Sequence, residues 1–336
     1  MAQKNNEFVN EKTKQMKYRK LGRTEMEVSE IGLGTWAFGN NVYGGVPEKE
    51  AIYTIHGAMD LGITLFDTAP QYGTPQQDGV AEIVLGKALK DGRRNQVFIS
   101  TKFGRNLAIQ GGAPLFYKQR VLDSIEETLT RLQTDHVDVY FFHSPFSPDE
   151  IHDDIWEGLE QIKQQGKARF IGHSISMYHQ TKDMARQWAK EGKIDVVQVV
   201  LSLMNREAQE LIDELKTYPI GVVARECLAN GFLSGAVKRD TVFKAGTLNS
   251  RYSRAEIEER VQQVEDFSFL IRNDITNMPQ AALRWVLDQE GVSTVLSGAK
   301  NLFELEGAVS ASNANPFSME ELAKAKASLK KDFEAA

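Results

Sequence analysis

Hydrophobic positions in this chain gather into eight short, nearly continuous runs: Ile31 to Trp36, Ile63 to Asp67, Val97 to Lys102, Val137 to His143, Ala168 to Ser174, Val196 to Gln198, Gly221 to Glu226 and Ser293 to Gly298. Strands buried on both faces need side chains that are apolar throughout, so these runs predict a parallel sheet rather than one with a wet face. Between the runs the apolar period lengthens to that of a helix. Pro47 opens a helix carrying Ile52, Ile55 and Met59, and Gly62 ends it. Val121, Ile125, Leu129 and Leu132 make one stripe; Ile151, Ile155, Leu159 and Ile162 make another that stops at Gly166. Met184 with Trp188, and Leu211 with Leu215, mark two shorter helices. Pro279 begins a helix through Ala282, Trp285 and Val286 to Gly291, and Leu302, Leu305 and Val309 carry the next. Ser318 with Glu321 is the signature of a capping box for a C-terminal helix.

Eight strand-helix alternations favour an α/β architecture closed as a (β/α)8 TIM barrel over an open doubly wound sheet. Before it, Tyr18, Leu21, Met26 and Val28 around Gly22-Arg23-Thr24 predict a β-hairpin covering one end of the core. After the seventh strand comes a Gly-rich stretch, Asn230 to Gly235, and a polar segment through Arg260, which reads as a large loop over the open face. No repeat or linker interrupts the series. Residues 16–336 therefore read as one barrel domain, behind a flexible polar tail, residues 1–15, that has no apolar centre of the signal-peptide kind.

Composition narrows the partners. The net charge of -6 gives no basic field for nucleic acid or anionic lipid, and no apolar run approaches the roughly 20 residues that span a bilayer. The single cysteine, Cys227, excludes an intramolecular disulfide and fits a reducing cytoplasm. The partner expected is a small molecule, and homo-oligomer formation is left open.

In a parallel barrel the functional groups collect at the C-terminal ends of the strands. Trp36, Asp67, Lys102, His143, Ser174, Gln198, Arg225 and Gly298 all stand there or just beyond, and Tyr72 follows Asp67 in a Pro- and Gly-bounded loop. A lone Asp or Lys at a strand end is usually solvated or ion-paired, His143 also suits a structural role, and Tyr72 could simply cap its loop. Four proton-active groups on consecutive strands suggest one site. Hydride addition to a carbonyl needs a proton donor and a stabiliser for developing oxyanion charge. Tyr72 can donate, Lys102 can lower the phenol's pKa, Asp67 can hold Lys102 charged, and His143 can orient the carbonyl. A metal-dependent hydrolase using Asp67, His143 and Glu226 is disfavoured, because no His-x-His cluster is present and Lys102 and Arg225 would repel a cation. No metal is expected.

These residues carry a family resemblance. Gly32-Leu33-Gly34-Thr35-Trp36, Phe66-Asp67-Thr68-Ala69 with Tyr72-Gly73, Ser100-Thr101-Lys102, Phe142-His143, Ile171-Gly172 with Ser174, Gln198, Gly231 to Gly235, and Leu296-Ser297-Gly298-Ala299 occur in order. The chain thereby resembles the aldo-keto reductases, most closely a bacterial branch near the potassium-channel β-subunit-like reductases. The resemblance implies an NAD(P)H-dependent oxidoreductase that reduces an aldehyde, ketone or sugar, with Asp67, Tyr72, Lys102 and His143 as the catalytic tetrad. It places the cofactor against Gly34, Thr35, Trp36, Asp67, Ser174, Gln198, Arg225, Leu228, Gly231, Leu233, Gly235, Gly298, Lys300 and Glu304. The substrate falls to Trp36, Tyr72, His143, Arg105 and Phe146, with Thr247 to Arg254 alongside. The other reading of the same barrel is a nucleotide-sensing regulatory subunit with little turnover, which the intact tetrad disfavours.

Three positions depart from the family pattern. Ser174 is followed by Ile175 rather than Asn, which removes an amide contact. Arg225 stands where an aromatic residue stacks on the nicotinamide; its planar guanidinium can stack but brings charge. Glu304 replaces Gln or Arg near the adenosine, and Ala308 replaces Asn. Glu304 would repel a 2′-phosphate and Lys300 would attract one, which leaves NADP(H) slightly ahead and NAD(H) open. Arg105 or Arg225 would suit a sugar or an acidic carbonyl compound.

Overall fold

The computed structural model describes residues 16–39, 45–105 and 114–334; the expected tail, residues 1–15, lies outside them. Among these residues ten strands run in order: β1 Tyr18–Lys20, β2 Glu27–Ser29, β3 Ile31–Gly34, β4 Leu65–Asp67, β5 Phe98–Phe103, β6 Val137–His143, β7 Ala168–Ser174, β8 Val196–Val200, β9 Gly221–Arg225 and β10 Thr294–Ser297. The eleven described helices are α1 Trp36–Gly39, α2 Glu48–Asp60, α3 Val80–Ala88, α4 Lys118–Leu132, α5 Ile155–Gln164, α6 Tyr178–Lys190, α7 Gln209–Leu215, α8 Arg254–Asp266, α9 Met278–Leu287, α10 Leu302–Asn313 and α11 Met319–Ser328. Strands β3 to β10 close into a parallel barrel, β10 pairing with both β3 and β9. This is the (β/α)8 barrel expected.

The hairpin β1–β2 is antiparallel, with Tyr18 opposite Ser29. Its Leu21, Met26 and Val28 pack against the inward side chains Leu65, Val139, Phe141, Val196, Val223 and Leu296. Each such side chain taken from water contributes about 1.5–3 kcal/mol. The hairpin thus stoppers the N-terminal end of the barrel, leaving the other end for the site. A second apolar layer lies between the strands and the helices, where Phe103, Phe116, Tyr140, Phe142, Trp156 and Trp188 form an aromatic cluster.

Four sequence expectations need correction. Strand β3 stops at Gly34 and Trp36 begins α1, so Trp36 lies past a strand end in a short helix. Ile151 is not in α5; it forms an isolated bridge with Phe116, and the helix starts at Ile155. Helix α3 has no counterpart in the periodicity because it is buried nearly all round: Ala81, Glu82, Val84, Leu85, Gly86 and Ala88 are all covered, which leaves no polar face to set a period. The polar segment after β9 is not wholly a loop, since it ends in α8, entered by a capping box between Ser253 and Glu256. The box at Ser318 and Glu321 is formed as expected.

Strand alternation also turns one histidine outward into the apolar layer. The His173 ring is fully buried, 5.1 Å from the Trp188 ring, and neither of its nitrogens has a hydrogen-bond partner among the described residues. Burial therefore pulls its pKa from 6.5 to about 3. An unfolded chain takes up the proton near pH 6.5 and the folded chain refuses it, so stability is complete above pH 6.5 and declines as pH falls towards 3. At about 1.4 kcal/mol per pH unit, His173→Leu should shrink the stability lost between pH 7 and pH 4.5 by roughly 2–3 kcal/mol in urea unfolding. An undiminished acid loss in that variant would reject the assignment.

Candidate active site

The two-residue period of the strands decides which side chains enter the barrel and which of those come last. Behind the rim stand Leu65, Ser100, Phe141, Val196 and Val223; two residues further along the same strands stand Asp67, Lys102, His143, Gln198 and Arg225. The register sets Asp67 beside Ser100, Lys102 beside Phe141, and His143 and Gln198 on either side of Ser174. One polar layer therefore caps a largely apolar one, from which Ser100 reaches up to Asp67.

Within that layer the four proton-active residues meet. Lys102 Nζ donates to Asp67 Oδ2 at 2.6 Å, to the Thr68 carbonyl at 2.8 Å and to Tyr72 Oη at 3.0 Å. The Lys102 and Asp67 side chains are 1% and 2% exposed, so this is a buried ion pair whose remaining valences are filled. Ser100 Oγ and Gln198 Nε2 both donate to Asp67 Oδ1, at 2.7 and 2.9 Å, and Ser174 Oγ donates to Gln198 Oε1 at 3.2 Å. The His143 ring meets the Tyr72 ring edge-on, centroids 6.1 Å apart, and Trp36 flanks Tyr72 at 6.2 Å. Thr35 is fully buried and donates to the Asp67 carbonyl at 3.0 Å, which makes its side chain a support beneath the layer.

The loop presenting Tyr72 is stapled at several points. Tyr72 N donates to Ala69 O, Ala81 N donates to Tyr72 O, and Gly79 N donates to Pro70 O. A Cβ at Gly39 would stand 2.1 Å from Tyr72 O, so only glycine lets α1 approach this loop so closely.

Burial and charge act on the cluster in opposed directions. Burial opposes a charge on Lys102, yet Asp67 and Tyr72 prevail and push its pKa above the usual lysine value. Burial raises the Tyr72 pKa above 10 despite the lowering effect of Lys102. The expected depression of the phenol is thus reversed, because removing a phenolate from water costs more than the ammonium, itself compensated by Asp67, gives back. Tyr72 is consequently held as a phenol with a proton to give. Burial, then Lys102, Arg225 and Arg105, take His143 well below 6.5, so the imidazole is neutral at physiological pH. Its Nδ1 is buried without a partner among the described residues.

The remaining candidates spread around the same end of the barrel. Leu228 leads into a kinked turn in which Gly231 and Gly235 have φ of 91° and 76°, values that suit glycine. Leu233 is fully buried, so its side chain belongs to the core. Gly34 lies beside Ser297 O, and Gly298 is exposed. Lys300 N donates to Glu304 Oε2 at 3.0 Å, Lys300 Nζ lies 3.8 Å from Glu304 Oε1, and Asn301 caps α10. Among the described residues, no atom beyond the glycine and its chain neighbours lies within 4 Å of where a Cβ would stand at Gly231, Gly235 or Gly298, and the Asn230 side-chain oxygen is buried without a partner. Arg105 and Phe146 meet each other, the guanidinium carbon 3.5 Å from the ring centroid. Asn249, from the Thr247 to Arg254 segment, is buried and donates to Asn230 O at 2.8 Å.

Sequence reasoning missed Ser100 as a ligand of Asp67, although its place two residues before Lys102 put it on the same strand face. It also missed Glu150, Ser144 and Ser176 around the two arginines, which are side chains of separate loops that no spacing connects.

The barrel rim thus carries a half-buried phenol beside a buried ammonium, carboxylate and neutral imidazole, groups with the chemistry that proton transfer requires. The aldo/keto reductase family model matches residues 30–330. Aldo-keto reductase YhdN of Bacillus subtilis is 32% identical over 297 residues, covering 87% of each chain. The NADH-specific methylglyoxal reductase of Escherichia coli is 31% identical over 317 residues, covering 89% of this chain and 94% of that protein. The holo form of aldo-keto reductase AKR11C1 from Bacillus halodurans superposes with a TM-score of 0.75 at 27% identity, covering 95% of this chain and 99% of that one. The chain belongs to the aldo/keto reductase family, whose members are oxidoreductases of carbonyl substrates. Among the described residues no helix is long and apolar enough to cross a membrane.

Proposed function

We propose that this protein reduces an aldehyde or ketone to an alcohol with a nicotinamide dinucleotide, Tyr72 acting as general acid. The observation that carries this reading is the 3.0 Å contact between Tyr72 Oη and Lys102 Nζ, backed by the buried pair of Lys102 with Asp67. When bound, the nicotinamide would supply the hydride. Tyr72 gives its proton to the carbonyl oxygen as negative charge develops there, and Lys102 stabilises the phenolate left behind. Asp67, with Ser100 and Gln198 on its other oxygen, fixes the direction of Lys102. His143, neutral and edge-on to Tyr72, offers a ring N–H that orients the carbonyl. The open positions at Gly231, Gly235 and Gly298 and the unpartnered Asn230 oxygen fit an extended dinucleotide approaching backbone amides. Leu228, Gly34 and Trp36 would border it, with Ser174 and Gln198 at its nicotinamide end. Cys227, buried and unpaired, suits a reducing, cytoplasmic setting. The test is multiple-turnover oxidation of reduced cofactor by simple aldehydes; cofactor binding with no turnover would favour the regulatory reading.

Cofactor choice follows from α10. Because Glu304 holds both the backbone N–H and the ammonium of Lys300, the cation that favoured NADP(H) is partly cancelled, and our proposal moves to NAD(H). Wild type should bind NADH at least as tightly as NADPH, and Glu304→Gln should shift the ratio of dissociation constants towards NADPH by about three- to tenfold. Quenching of tryptophan fluorescence measures both. An unmoved ratio would remove Glu304 from the adenosine site.

A further inference from the structure

Around the opening of the tetrad runs an arc of polar contacts that the proton transfer does not use. At one end Glu150 accepts two hydrogen bonds from Arg105 Nη2, at 2.9 and 2.7 Å. Arg105 Nε donates to the carbonyl of Ser144 at 3.0 Å, and Ser144 directly follows His143 with a left-handed φ of 50°. Ser176 Oγ donates to Ser144 Oγ at 2.8 Å. Arg225 Nη2 donates to Ser176 Oγ at 2.7 Å and to Ile175 O at 3.0 Å, while its Nη1 pairs with Glu226. Segments leaving β5, β6, β7 and β9 are thereby joined, and each end of the arc closes on a carboxylate. Phe146, stacked on Arg105, is 48% exposed.

Two guanidiniums beside a carbonyl-reducing site would ordinarily recruit an anion. Here Glu150 answers Arg105, Glu226 answers Arg225 and Asp67 answers Lys102, so among the described residues of the arc and the tetrad each of these three cations faces a carboxylate. An incoming carboxylate or phosphate meets guanidiniums whose charge is already answered and carboxylates that repel it. Hydroxyl groups can donate to these carboxylates and accept from these guanidiniums while both pairs stay formed. The rings of Trp36 and Phe146 add apolar surface suited to the carbon skeleton of such a compound.

We infer that the site selects uncharged, hydroxylated carbonyl compounds over carboxylated or phosphorylated ones, and that Glu150 sets this choice by neutralising Arg105. The inference rests on the reductase reading above. It is tested with the full-length enzyme by comparing kcat/KM for glyceraldehyde and glyceraldehyde 3-phosphate, with propanal as the plain aldehyde. Wild type favours glyceraldehyde over its phosphate by at least about tenfold. Glu150→Gln keeps the side chain's length and one acceptor oxygen, turns the other into an amide donor, and frees the Arg105 charge. In that variant the ratio moves towards the phosphate by about five- to tenfold, through KM, and the shift fades as salt rises from about 0.05 M to about 0.5 M. Adding Arg105→Gln to Glu150→Gln restores the wild-type ratio. A wild-type preference for the phosphate, an unmoved ratio in Glu150→Gln, or a shift that survives loss of Arg105 overturns the inference while leaving the reductase reading intact. Should Glu150→Gln fail to fold, the wild-type ratio decides selection on its own. If wild type turns over neither glyceraldehyde nor propanal, the reductase reading fails, and this inference fails with it.

Discussion

Tyr72→Phe should lower kcat for carbonyl reduction by about 10²–10⁴-fold, the range that a positioned general acid contributes, while the dissociation constant for reduced cofactor stays within about twofold. The substitution removes one oxygen and keeps the ring, so its contacts with Trp36 and His143 remain. Lys102 loses one acceptor of three but retains Asp67 Oδ2 and the Thr68 carbonyl, so the ion pair survives. Steady-state turnover together with tryptophan quenching separates the two quantities. Full turnover in this variant would remove Tyr72 from the mechanism, and joint loss of turnover and binding would make its role structural.

Lys102→Met should cost both activity and fold stability. The Asp67 side chain is 2% exposed, and without the ammonium its charge would rest on Ser100 and Gln198 alone. Stripping one partner from a buried pair typically costs about 3–5 kcal/mol, because a charge is left without compensation. Adding Asp67→Asn should recover most of that stability, since the buried charge is gone, yet recover no activity, since no ammonium then faces Tyr72. Urea unfolding and turnover of the two single variants and the double variant make a closed cycle. If the two stability losses simply add, Asp67 and Lys102 are not the energetic unit described.

The barrel was legible because its strands are largely apolar on both faces and several carry a polar group at or near the C-terminal end, a pattern that burial between hairpin, helices and rim demands. Asp67, Lys102 and His143 could be placed from strand ends alone, and Tyr72 from the turn residues around it. Helix α3 was illegible for the complementary reason: buried on nearly every side, with Glu82 satisfied internally by Thr101, Thr128 and Arg131, it shows no polar stripe. Helix α8 announced itself only through Ser253 and Glu256, a capping signal that its polar surroundings obscured. The direction of the Tyr72 shift could not be read either, because a sequence names the neighbouring ammonium but not how closely the protein packs around the phenol. The arc from Glu150 to Glu226 joins four loops distant along the chain, and only the closed barrel makes them neighbours.

The most direct test of Tyr72 as proton donor is the pH dependence of carbonyl reduction by wild type at saturating cofactor. With the phenol raised above 10 and His143 already neutral, the rate should hold level from acidic pH through neutrality and fall with unit slope only where a phenol ionises. A rate that instead declines steadily between pH 5 and pH 7, the range where an imidazolium gives up its proton, would make His143 the acid and contradict the account.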